Sequence, residues 1–89
     1  LDIVDMNLYP NPTGGNAQLE ISFTDEADVQ IGCYDVTGRM LFMITEENIK
    51  EINQLIDLSS EQTGVYFIRM KASSLKGELL RNFKLIKTN

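Results

Sequence analysis

Eight residues, "AQLEISFT" (Ala17–Thr24), constrain this chain more than any others. Apolar Ala17, Leu19, Ile21 and Phe23 alternate with polar Gln18, Glu20, Ser22 and Thr24. Successive side chains of an extended strand point to opposite faces, so this segment offers one face to a core and the other to water. The same period recurs along the chain. "IVDMNLY" places Val4, Met6 and Leu8 on one face; "DVQIGCYD" sets Val29, Ile31 and Cys33 against Gln30, Gly32 and Tyr34. "GVYFIRMKA" turns Tyr66, Ile68 and Met70 inward, and "ELLRNFKLIK" does so with Leu79, Phe83 and Leu85. "RMLFMIT" is apolar almost throughout. There the reading favours Leu41 and Met43 inside and leaves Met40, Phe42 and Ile44 as an outer patch for loops, a partner or a second copy.

Breakers punctuate these runs. In "YPNPTGG" each proline fixes φ and withholds an N–H, Asn11 can bond nearby backbone, and Gly14-Gly15 can take positive φ; the stretch reads as a stiff corner. "TDEAD" reads as a polar loop. "DVTGR" reads as a hairpin turn, with Asp35 at its first position and Gly38 as the left-handed residue of a bulge. "DLSSEQTG" reads as a turn, with one helical turn capped by Ser59, and "SSLKG" as another turn. Residues 48–56 fit two patterns: a helix through Ile49, Ile52, Leu55 and Ile56, or a strand through Ile52, Ile56 and Leu58 with Gln54 inward or bulged. About seven strands at this spacing predict an all-β sandwich of two antiparallel sheets.

The 89 residues suit one domain spanning 1–89. The chain carries 13 acids against 8 bases, net −5, which argues against nucleic acid as a partner. No apolar run approaches the ~18–20 residues that cross a bilayer, so stable membrane insertion is not expected. The chain opens at Leu1 without an initiator Met, which reads as a piece cut from a longer precursor. Cys33 is the single cysteine and there is no histidine, so neither a disulfide, a zinc site nor a thiolate pair is expected. Asp25-Glu26-Asp28 and Glu46-Glu47 fall in expected loops, without the dry pocket that carboxylate catalysis needs. No enzyme activity and no cofactor are read from these residues.

The order of four stretches is more specific than any one of them. "LYPNPTGG" opens the chain, "YDVTGRML" stands in its middle, "IDLSSEQTGVYFIRM" follows and "LLRNFKLIK" closes it. This series resembles the C-terminal sorting domain of type IX (Por) secretion cargo of Bacteroidetes. The resemblance implies an immunoglobulin-like β-sandwich that acts as an address label. A cargo domain would be fused upstream, an outer-membrane translocon would read the label after periplasmic transit, and a sortase-like peptidase would remove it, leaving cargo secreted or on the cell surface. The family pattern falls on Pro10, Asn11 and Pro12, on Asp35, Gly38 and Arg39, on Asp57, Leu58 and Ser59, on Gly64 and Tyr66, and on Lys84, Leu85, Ile86 and Lys87. Glu61 and Gln62 depart from it, standing where relatives often carry an apolar residue. Gly38 and Gly64 are expected to serve backbone geometry and Tyr66 to be core with its hydroxyl bonded. Lys84 and Lys87 are expected to point outward, where a receptor could read them or where they guard an edge. The alternative reading is a non-catalytic immunoglobulin- or fibronectin-like module binding carbohydrate or protein, through Tyr9 or Phe42.

Overall fold

The computed structural model describes residues 1–89 and contains five strands and no helix. The strands are β1 (Ile3–Tyr9), β2 (Asn16–Tyr34), β3 (Met40–Asp57), β4 (Gly64–Ser74) and β5 (Gly77–Lys87). All pair antiparallel in one sheet of order β1-β2-β4-β5, with β3 on the other edge of β2. The strand β2 has 19 residues. Straight, such a strand would span roughly 60 Å, yet the longest dimension of the molecule is 41 Å. It therefore bends, and β3 bends beside it. Residues Gln18–Phe23 pair with β1, whereas Asp28–Tyr34 pair with β4. The two halves of the curled sheet face each other across one core, giving the immunoglobulin-like sandwich. Counting each bent strand twice recovers the seven segments of the sequence pattern; as continuous elements there are five, in one sheet rather than two.

The bend has a local cause. After Phe23 strict alternation would send Asp25 inward. Instead the β2–β3 register slips on both sides of Ala27, Asp25 reaches Lys76, and Ala27 and Val29 resume the buried series. Across from the slip, Asn48 takes φ 52°, a left-handed conformation that asparagine tolerates, and its N–H donates to Asp28 Oδ1 at 3.0 Å. "TDEAD" is thus a bend inside a strand, not a loop.

The buried side chains form one cluster that includes Leu19, Ile21, Phe23, Ile31, Ile56, Leu58, Ile68, Met70 and Leu85. Residues 48–56 are strand: Ile52 and Ile56 are buried, and Gln54 pairs with inward-facing Leu19. Two inward sets differ from the sequence reading. A register slip between Ile3 and Asp5 turns Ile3 inward and leaves Val4 68% exposed; Met6, though opposite Ile21, is exposed too, so of the three expected residues only Leu8 packs on the core. In β3, Phe42 lies opposite Cys33 and Ile44 opposite Ile31, so both pack on the core and Met43 is exposed. The outer patch of Met40, Phe42 and Ile44 therefore does not exist; only Met40 of the three is exposed. Leu41 does pack against the core. In a run of uninterrupted apolar residues periodicity has no polar member to set the phase, and the register from the β2–β3 turn decides it. Cys33 is fully buried, and burial, with the Glu61 charge, pushes its thiol up to about 11.

Replacing Ile68, which has no exposed surface, by Ala should cost about 2–5 kcal/mol in urea unfolding. Leu75→Ala, at the fully exposed tip of the β4–β5 turn, should change stability by no more than about 0.5 kcal/mol.

Candidate functional site

The bend of β2 gives the sandwich two poles. At one lie Asp2, bonded in both directions to Thr24, and the β4–β5 turn, where Lys76 Nζ meets Asp25 Oδ1 at 2.9 Å. At the other lie the β1–β2 corner, the β2–β3 turn, the β3–β4 loop and the end of β5. Every residue on which the family pattern falls belongs to this second pole or borders it.

The corner binds the last strand. Asn11 Nδ2 donates to the Lys84 carbonyl at 2.7 Å, and the Ile86 N–H donates to Asn11 Oδ1 at 3.0 Å. The Thr13 N–H then donates to the Ile86 carbonyl and the Thr88 N–H to the Thr13 carbonyl, each at 2.8 Å. One side-chain amide and one backbone residue thus act as a short parallel strand along β5. Pro10 and Pro12, both preceded by cis peptide bonds, flank Asn11 and are exposed. Thr13 is only 1% exposed, and its hydroxyl accepts from Gly15 N–H and donates to the Asn16 carbonyl. The sequence reading missed Thr13, since a lone threonine after proline carries no pattern of its own.

The β2–β3 turn is organised by one carboxylate. Asp35 Oδ1 accepts from the Thr37 N–H, the Thr37 hydroxyl and the Arg39 N–H, and Oδ2 accepts from Arg39 Nε at 3.0 Å. The Thr37 hydroxyl, then Arg39 and the turn amides, hold Asp35 down at about 2. Gly38 has φ 87°, the left-handed residue the turn requires. Arg39 also reaches Glu61 at 3.7 Å, tying this turn to the β3–β4 loop. That loop repeats the device. Asp57 Oδ1 accepts from the Ser59 N–H and hydroxyl, which lower the Asp57 carboxyl below its ordinary value. Ser59 caps no helix; Asp57 closes a turn on it, because Leu58 is pulled into the core. Gly64, at φ 153°, starts β4, and the hydroxyl of buried Tyr66 donates to the Gln62 carbonyl at 2.5 Å, pinning the loop four residues upstream.

The two lysines part company. Lys84 is exposed on the outer face, opposite Phe67. Lys87 is half-buried, and its Nζ donates to the carbonyls of Ser59 and Glu61, so it fastens the loop rather than presenting a charge. Leu85 is core and Ile86 is half-buried. Between the β2–β3 turn and the β3–β4 loop lies an open groove of about 470 Å³, lined by Asp35, Arg39, Glu61 and Tyr66 among others. Phe42, facing the core, is not placed to grip a sugar.

The architecture is that of an immunoglobulin-like module with its motif residues gathered at one end. Residues 7–79, well over half of the chain, match the model of a protein family described as the secretion system C-terminal sorting domain. The chain belongs to that family. It is a sorting signal for type IX secretion, a targeting domain of a family not known as catalytic. Such a signal interacts with the secretion machinery, is fused to a cargo and directs export to the cell surface or beyond it. No curated protein matches the chain with significance. Lys84 to Lys87 lie past the matched span, and the structure bonds them to Asn11 and Thr13 inside it.

Asn11→Ala should remove two hydrogen bonds, cost about 1 kcal/mol, and speed amide exchange at Ile86 selectively. Asp35 is held below its unfolded value, so its contribution is present above pH ~4 and fades as pH falls toward 2. Asp35→Asn should flatten the pH dependence of the urea midpoint in that window.

Proposed function

We propose that residues 1–89 act as one C-terminal sorting domain of a longer secreted precursor, with no reaction of its own, and that the machinery reads the motif pole. The observation that carries this reading is the bonding of Asn11 and Thr13 to Lys84–Thr88. Four stretches distant in sequence meet in one surface only when the domain is folded, so an outer-membrane translocon reading that surface reads a completed fold. Pro10, Asn11 and Pro12 form the corner of the label. Asp35, Gly38 and Arg39 shape its groove, with Gly64 and Tyr66 as the opposite wall. Lys84 is the residue whose charge is offered, and Leu85, Ile86 and Lys87 hold it in place.

The cargo joins through Leu1, at the pole opposite the label. This separation suits a sequence of periplasmic transit, reading at the motif pole and cleavage by a sortase-like peptidase at the linker end, where the cut need not disturb the label. Released cargo then stays at the cell surface or leaves the cell.

The test fuses a reporter upstream of residues 1–89 in a type IX-competent host. Deleting residues 80–89 should hold the reporter in the periplasm, and Arg39→Ala or Lys84→Glu should reduce surface delivery while the domain stays folded, with Lys84→Glu leaving thermal stability unchanged. Normal delivery by all three variants would refute the reading.

A further inference from the structure

Three strands have an unpaired edge, and they differ. The edge of β1 is interrupted by its register slip, and the Met6 N–H beside it is taken by Asp5 Oδ1 at 3.0 Å. The edge of β3 is broken by left-handed Asn48 and lined with Glu46, Glu47 and Glu51. Bulges and charges of this kind keep edges from accepting another strand. By contrast β5 pairs with β4 from Gly77 to Lys87 without a slip. Alternation in an antiparallel pair sends every second residue's N–H and C=O away from the partner. Here the outward residues are Glu78, Leu80, Asn82, Lys84 and Ile86, as the outward bonds of Lys84, Ile86 and Thr88 attest. The corner occupies this edge from the Lys84 carbonyl onward. The Arg81 guanidinium bonds the Leu80 carbonyl. Upstream of Lys84, the Leu80 N–H and both backbone groups of Asn82 face open solvent on a regular edge.

Charge says what would lie there. Residues 64–89 hold six of the eight basic residues of the chain and one of its thirteen acids, Glu78. Arg81 and Lys84 stand on the edge strand, and Leu80, next to Arg81, is 61% exposed. We propose that the edge of β5 from Glu78 to Lys84 accepts an extended, acidic segment of a partner protein as an added strand, ending where the corner closes the edge. The inference rests on the sorting reading and names how the label is read: backbone bonds to Leu80 and Asn82 supply the grip, and carboxylates beside Arg81 and Lys84 supply the selectivity. A second copy is a poorer occupant, because antiparallel pairing centred on this stretch sets Arg81 against Arg81.

The probe is a peptide about eight residues long, alternating glutamate and valine, with a lysine–valine counterpart, titrated into the 89-residue chain and followed by backbone NMR and amide exchange. The acidic peptide should shift and protect the amides of Leu80 and Asn82, and the basic one should not. Leu80→Pro removes only an outward N–H, so it leaves the pairing with β4 intact and should weaken the acidic peptide about tenfold or more. Arg81→Glu should reverse the preference between the two peptides. Equal binding by Leu80→Pro, protection on β1 or β3 instead, heparin or anionic phospholipid vesicles binding this face independently of Leu80→Pro, or self-association through β5 would each overturn the proposal. In the reporter assay, delivery lost on deleting 80–89 but normal for Leu80→Pro would sink the added strand and leave the sorting reading standing. Delivery unaffected by the deletion would sink both.

Discussion

The rest of the molecule depends on a single strand serving both halves of the sandwich. β2 gives one edge to β3 along nearly all its length and divides the other between β1 and β4. A sheet that must share its central strand this way can close on a core only by folding over. The fold-over is what carries the two ends of β2, Asn16 and Tyr34, to the same pole. The corner precedes one end and the β2–β3 turn follows the other. The convergence of motifs distant in sequence is therefore a consequence of chain pairing, with the β3–β4 loop crossing between the halves and Tyr66, Lys87 and Arg39 fastening it from three sides.

In β2 and β4, where polar and apolar residues alternate, the sequence determined orientation: Leu19, Ile21 and Phe23, or Ile68 and Met70, face one way; in β1 the same alternation failed at the slip after Ile3, which left Val4 exposed. Where alternation lapses, orientation came from elsewhere. The apolar run after Arg39 took its phase from the turn, which put Phe42 and Ile44 inside. The acids after Phe23 read as loop because no local pattern distinguishes a loop from a strand bent hard enough to keep its acids out of the core. The five-strand count has the same origin. The turn carboxylate Asp35, the hydroxyl of Tyr66 and the left-handed Gly38 were legible because each satisfies a local geometric demand. The bonds from Asn11 and Thr13 to β5 were not, since they join residues more than seventy positions apart and no local rule reaches that far. Lys87 misled for the same reason: its loop carbonyls are distant in sequence.

The pole is built mainly from backbone groups held by short side chains. Asn11 and Asp35 each turn one carboxamide or carboxylate into two bonds to main chain, and Asp57 makes one to the Ser59 N–H beside one to its hydroxyl. Much of such a surface is main-chain shape, with the charges of Arg39 and Lys84 set on it. The single thiol, buried and fully protonated at neutral pH, takes no part in it.

Leu1 and Thr88 leave the sandwich at opposite poles, on strands that run along its long axis. Tension between them would pull β1 and β5 lengthwise past their neighbours, and the inter-strand bonds, which lie across the strands, would have to rupture in concert rather than one after another. A domain held at its C-terminal end while a fused cargo pulled at its N-terminal end would be loaded in shear, its mechanically resistant direction.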